Sequence, residues 1–166
     1  KLGGKYGASD EEGNTLYAVW ELLTIPVPFT KQGENNLGEY EQLAGAQFKL
    51  FTDADCQNLI SDVYNDINEN EAVVVSSDEE GSNVVFPKAP VGTYYFKETA
   101  VGDQYKLNST VHIIEVVESD DENHTLSYVI DGDHTASNPL VIKNNLKGTL
   151  VIKKTVESSD TTGTFN

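Results

Sequence analysis

The stretch Leu23-Thr24-Ile25-Pro26-Val27-Pro28-Phe29-Thr30-Lys31 decides how this chain is read. Side chains on a strand alternate faces with period two. Leu23, Ile25, Val27 and Phe29 therefore share one face, and Lys31 ends that row. Pro26 and Pro28 carry no N–H and, spaced by two, remove donors from the same side of the ladder. That side must face away from a partner, which predicts an edge strand or the start of a strand. Two distant segments repeat the pattern. In Thr93-Tyr94-Tyr95-Phe96-Lys97-Glu98, alternation puts Glu98 on the face of Tyr94 and Phe96; in Leu140-Val141-Ile142-Lys143-Asn144, Asn144 falls in line with Leu140 and Ile142. An amine, a carboxyl group and a carboxamide are all sent toward the core. A core excludes such groups unless they satisfy one another.

The remaining segments read as strands too. Ala46, Phe48 and Leu50 alternate with Gln47 and Lys49, and further strands are expected at Ala72–Ser76, Asn83–Phe86, Val111–Val117 and Thr125–Ile130. Between them lie the turn-rich Thr52–Asn58, an acidic irregular stretch, and turns at Asp78-Glu79-Glu80-Gly81, Pro87–Gly92 and Asp131-Gly132-Asp133. Strands at this spacing, with no helical pattern between them, predict an all-β antiparallel sandwich or partly open barrel.

With 166 residues, 38% hydrophobic and 9% aromatic, the chain can bury one ordinary core. Its 11 Lys+Arg against 27 Asp+Glu leave a formal charge of -16, which argues against nucleic acid as a partner. The acids concentrate in expected loops, where they serve solubility. No apolar run is long enough to cross a membrane, so no membrane insertion is expected of this segment. The sequence begins at Lys1 without a signal peptide and reads as a mature or excised piece. Cys56 is the single cysteine and can form no internal disulfide.

Three longer motifs carry a family resemblance. Leu43-Ala44-Gly45-Ala46-Gln47-Phe48-Lys49-Leu50-Phe51-Thr52-Asp53-Ala54-Asp55-Cys56 resembles the second-strand region of Cna protein B-type (SpaA-like) domains. Gly92-Thr93-Tyr94-Tyr95-Phe96-Lys97-Glu98-Thr99 is similar to their glutamate box, followed by Gln104-Tyr105-Lys106-Leu107. Val141-Ile142-Lys143-Asn144-Asn145 and Gly148-Thr149-Leu150 resemble their last strand passing into a next repeat. The resemblance spans roughly residues 24–146. It implies a prealbumin-like, Ig-like sandwich of pilins and wall-anchored adhesins of Gram-positive bacteria, hence a secreted, extracellular cell-surface protein. It also implies an isopeptide bond between Lys31 and Asn144, promoted by Glu98. The sequence departs from the pattern in a longer Lys31–Leu43 segment and in Thr99-Ala100-Val101-Gly102, which lacks the usual proline. Asn145 beside Asn144 is an alternative acceptor. No sorting signal and no convincing pilin motif are present.

The chemistry suits the three groups. Burial disfavours a charged Lys31 and frees an amine to attack the Asn144 carboxamide. Glu98, raised in pKa by apolar surroundings, is expected to hydrogen-bond the carboxamide oxygen and relay a proton to the departing ammonia. Such a self-reaction turns over once, so no enzyme activity is expected. Alternation alone favours ordinary roles instead: Lys31 snorkelling at a strand end, Glu98 as its ion-pair partner, Asn144 capping a turn. The resemblance tips the reading to the crosslink.

The expected organisation has three parts. Residues 1–22 read as the tail of a preceding module or an extension, and Leu16-Tyr17-Ala18-Val19-Trp20 resembles the end of a Listeria–Bacteroides β-grasp repeat. Residues 23–146 form the sandwich. Residues 147–166 open a following repeat, in which Leu150, Ile152 and Lys154 repeat the pattern of Val27, Phe29 and Lys31. No cofactor is expected. His112, His124, His134 and Cys56 lack zinc spacing, and Asp53-Ala54-Asp55 and Asp131-Gly132-Asp133 do not continue as calcium loops. The expected role is a stalk or pilus-like module partnered by its neighbours in the same polypeptide. The alternative is an adhesin that contacts a host matrix protein or glycan through the acidic 52–80 region.

Overall fold

Strand β3, Thr24–Glu34, organises the molecule, and a computed structural model describes it together with the rest of residues 4–5, 19–120 and 122–148. Before it, β1 (Gly4–Lys5) and β2 (Val19–Trp20) pair antiparallel with each other. After it come β4 (Tyr40–Gln42), β5 (Gln47–Phe51), α1 (Ile60–Val63), α2 (Glu69–Ala72), β6 (Val73–Val75) and β7 (Val84–Pro90). The chain continues through β8 (Gly92–Ala100), β9 (His112–Glu118), β10 (Leu126–Ile130) and β11 (Val141–Asn144). Leu16-Tyr17-Ala18 and Lys154 lie outside the described residues.

Strands β3 to β11 form two facing sheets. One has the order β10-β9-β8-β5-β6; the other runs β11-β3-β4, with β7 also paired to β3. Among the described residues every strand pairing is antiparallel but one: β11 lies parallel to β3, with Ile142 beside Lys31 and Asn144 beside Gly33. Alternation governs burial as expected. Tyr94, Phe96 and Glu98 face inward from β8, and His112, Ile114 and Val116 from β9. Phe29 meets Phe48 edge-on at 4.9 Å between ring centres and lies 4.9 Å from Phe96. These rings from opposite sheets make a dry aromatic centre.

The prolines of β3 sit where their missing donors cost nothing. Thr30 donates its N–H to the Leu140 carbonyl at 2.8 Å, on the edge that β11 covers. Pro26 and Pro28 share the parity of Thr30, and β11 begins only beyond them. The edge expected from sequence is therefore real for residues 24–29, while residues 30–34 lie inside the sheet.

Two expectations are corrected. The acidic stretch between Asn58 and Val73 is not wholly irregular: α1 and α2 are single turns that bring Ile60 and Ala72 into the core, and Ile67 joins them from the segment between. Pro87-Lys88 lies not in a turn but within β7, opposite Pro26, where the β3–β7 register shifts between Ile25 and Val27. A bulge interrupts the ladder there, so proline is tolerated. The turn itself falls at Val91-Gly92, and Gly92 takes a φ of 149° that favours glycine.

Candidate functional site

Lys31, Glu98 and Asn144 converge at one end of the sandwich. Lys31 comes from β3, Asn144 from the parallel neighbour β11, and Glu98 from β8 on the opposite sheet. Their residue exposures are 0%, 2% and 1%. The parallel register explains the reach. Asn144 lies beside Gly33, two residues beyond Lys31 on the same face, so the long lysine side chain reaches along the strand to meet it.

The hydrogen bonds fix each group. Lys31 Nζ donates to Asn144 Oδ1 in a very short contact, and to the carbonyls of Gln32 at 2.9 Å and Ile142 at 3.3 Å. It stands 3.6 Å from Glu98 Oε1. Asn144 Nδ2 donates to Glu98 Oε2 at 2.7 Å and to the Lys106 carbonyl at 2.9 Å. Glu98 Oε2 also accepts the Asn108 N–H at 2.8 Å. Glu98 Oε1 has no hydrogen-bond partner among the described residues and faces the lysine. Burial pulls the Lys31 amine down from 10.5 to about 8, against the upward pull of Glu98.

One detail differs from the sequence reading. The carboxamide presents its nitrogen to Glu98, not its oxygen. The Lys106 carbonyl can only accept, so it claims an N–H of Asn144 and leaves Oδ1 for the amine. Glu98 thus spans both nitrogens, with Oε1 toward the amine and Oε2 toward the amide nitrogen.

Asn145 is placed elsewhere. It is exposed, and its Oδ1 accepts a short hydrogen bond from the Tyr40 hydroxyl on the outer face. Period-two alternation separates the adjacent asparagines: one is brought to the lysine and the other is not.

Sequence reasoning missed the groups that close the site. The Tyr105 ring lies over Gly33, with ring atoms 2.9 Å from where a Cβ would be. The backbone of Lys106 and Asn108 supplies an acceptor and a donor to the triad. Gly33 was findable, because it is the next inward position after Lys31 and has no side chain. Backbone groups of the 101–111 loop carry no signature in the sequence.

The other candidates have ordinary partners. Asp53 accepts the N–H groups of Asn58 at 2.7 Å and Gln57 at 3.1 Å, and these bonds hold its carboxyl below the usual range. His112 Nδ1 lies 2.6 Å from Asp131 Oδ2. Cys56 is buried, and desolvation raises its thiol pKa.

The fold and the buried triad define a class: a prealbumin-like β-sandwich whose first and last strands are neighbours. The chain belongs to the SpaA family of prealbumin-like fold domains, whose model matches residues 27–132. Among solved structures, the SpaE basal pilin of Lactobacillus rhamnosus GG is 20% identical. The match covers 81% of this chain and 50% of that one, with a TM-score of 0.52. A minor pilin of Streptococcus agalactiae is 15% identical over 84% of this chain and 52% of that one, at a TM-score of 0.46. The chain therefore spans about half the length of these pilins. No curated protein matches it.

Proposed function

We propose that the chain is a structural module of an extracellular stalk or pilus-like protein on a Gram-positive cell surface, stiffened by a Lys31–Asn144 isopeptide bond. The domain spans residues 23–146 and works in series with neighbouring modules of the same polypeptide. Contact with a host matrix protein or glycan is the alternative role. The observation that carries the reading is a fully buried amine held against a carboxamide, with one carboxyl group bonded to the amide nitrogen and facing the amine.

In the reaction, neutral Lys31 Nζ attacks Asn144 Cγ. A new C–N bond forms as the amide C–N bond breaks. Glu98 takes one proton from the amine and passes that same proton on to the departing nitrogen, keeping none. One secondary amide and one ammonia result, and Glu98 ends as it began. Positioning replaces the entropy lost in a bimolecular aminolysis. The lysine is consumed, so the module is not an enzyme.

Intact-mass measurement tests this directly. The folded chain should be lighter than its sequence by one ammonia. Lys31→Ala, Glu98→Ala and Asn144→Ala should each restore the full mass, and Asn145→Ala should not. A wild type at full sequence mass would refute the crosslink.

The rate should also depend on pH. With the amine at about 8, only roughly a tenth of the folded chains carry a neutral lysine at pH 7. Deprotonation creates the nucleophile, so ammonia loss should speed up as pH rises from about 6 and level off above the amine pKa. A cell-free synthesis pulse followed by a chase at each pH measures it. A flat profile would mean that the amine is not the titrating nucleophile.

A further inference from the structure

Strand β3 changes partners at Lys31. Upstream it pairs with β7, whose register ends at Val84 opposite Phe29. Downstream it pairs with β4, where Gln42 lies opposite Gln32. Lys31 sits at the seam, where its backbone N–H needs a partner that neither strand provides.

The Asn83 side chain fills this gap. Its Oδ1 accepts the Lys31 N–H at 2.7 Å, and its Nδ2 donates to the Lys31 carbonyl at 3.2 Å. The same Nδ2 donates to the Ser77 carbonyl at 2.8 Å, and the Ser77 N–H returns a bond to the Asn83 carbonyl at 3.0 Å. A carboxamide offers a donor and an acceptor much as a peptide group does, so one side chain stands in for a strand residue. Asn83 is buried, and its turn is tied down again where Thr30 Oγ1 donates to the Gly81 carbonyl at 2.9 Å.

Resting on the crosslink reading, we infer that Asn83 is a positioning residue for that reaction. It clamps the backbone from which the nucleophile projects. Attack on the amide carbon requires contact distance, and small displacements of the amine are costly in rate. Without the Asn83 carboxamide, the Lys31 N–H is left unpaired in a buried place, and the peptide must shift to find another acceptor.

The test separates positioning from simple stabilisation. Full-length chain is made in a short cell-free pulse, and ammonia loss is followed by intact mass during a chase. Asn83→Ala should slow the loss at least tenfold. Val116→Ala opens a cavity in β9 away from the triad; it should lower the melting temperature yet leave the rate at the wild-type value. Asn83→Asp keeps the acceptor for the Lys31 N–H but loses both donors, and should react at an intermediate rate. Melting curves of Asn83→Ala and Val116→Ala on a Glu98→Ala background compare the two destabilisations without the bond. The inference is overturned if Asn83→Ala reacts at the wild-type rate, or if Val116→Ala is slowed as much. Should Asn83→Ala fail to fold, the Asn83→Asp rate decides, and a wild-type rate there overturns it. A wild type that never loses ammonia overturns the crosslink reading itself.

Discussion

Glu98→Ala should melt about 10–20 °C below the wild type. Lys31 and Asn144 are 113 residues apart, so the proposed bond would close most of the domain into one loop. By the chain-entropy relation for crosslinks, such a closure stabilises by about 4–5 kcal/mol. For a domain of this size, each kcal/mol moves the melting temperature by roughly 2–5 °C. Glu98→Ala removes more than the bond, because it leaves the buried Lys31 amine without its carboxylate partner. Asn144→Ala also prevents the crosslink but keeps the 3.6 Å Lys31–Glu98 pair. Thermal melts should therefore rank wild type above Asn144→Ala, and Asn144→Ala above Glu98→Ala. Melting of all three within about 2 °C would remove the stabilising role of the bond.

The triad was legible because three short strands carry unambiguous alternation. Val27 and Phe29 fix the phase of Lys31, Tyr94 and Phe96 that of Glu98, and Leu140 and Ile142 that of Asn144. Period-two reasoning needs only local sequence, and burial of these rows on facing sheets followed. It could not show that β11 runs parallel to β3, since that depends on which edge the last strand joins. Yet the parallel register is what sets Asn144 two residues beyond Lys31.

The misreadings have local causes. Pro87-Lys88 looks like a turn because proline commonly begins one, and only the offset pairing with Pro26 makes it a bulge. The helices α1 and α2 contain four residues each, too few for a 3.6-residue period to register. The orientation of the Asn144 carboxamide is set by the Lys106 carbonyl, a backbone group every residue has. Asn83 read as the start of a strand, and nothing in its neighbours announced a side chain acting as backbone.

Pulled by its ends, the wild-type domain should release almost no chain. Tension enters along β3, which runs toward Lys31, and leaves beyond Asn144 at the end of the parallel β11. With the isopeptide bond in place, force passes from Lys31 directly to Asn144. The residues between them carry no tension and cannot be extended. Without the bond, the same force must be resisted by hydrogen bonds between β3 and its neighbours, which break at far lower load than a covalent amide. The variant should then unravel in one step. The 113-residue separation, at 3.3–3.6 Å per extended residue, gives a gain of roughly 370–410 Å. Single-molecule stretching of the domain between marker modules measures this step. Asn144→Ala should show it in every trace, and the wild type in none. Steps of that length in wild-type traces, from molecules already shown by mass to have lost ammonia, would mean that force does not run through the Lys31–Asn144 bond.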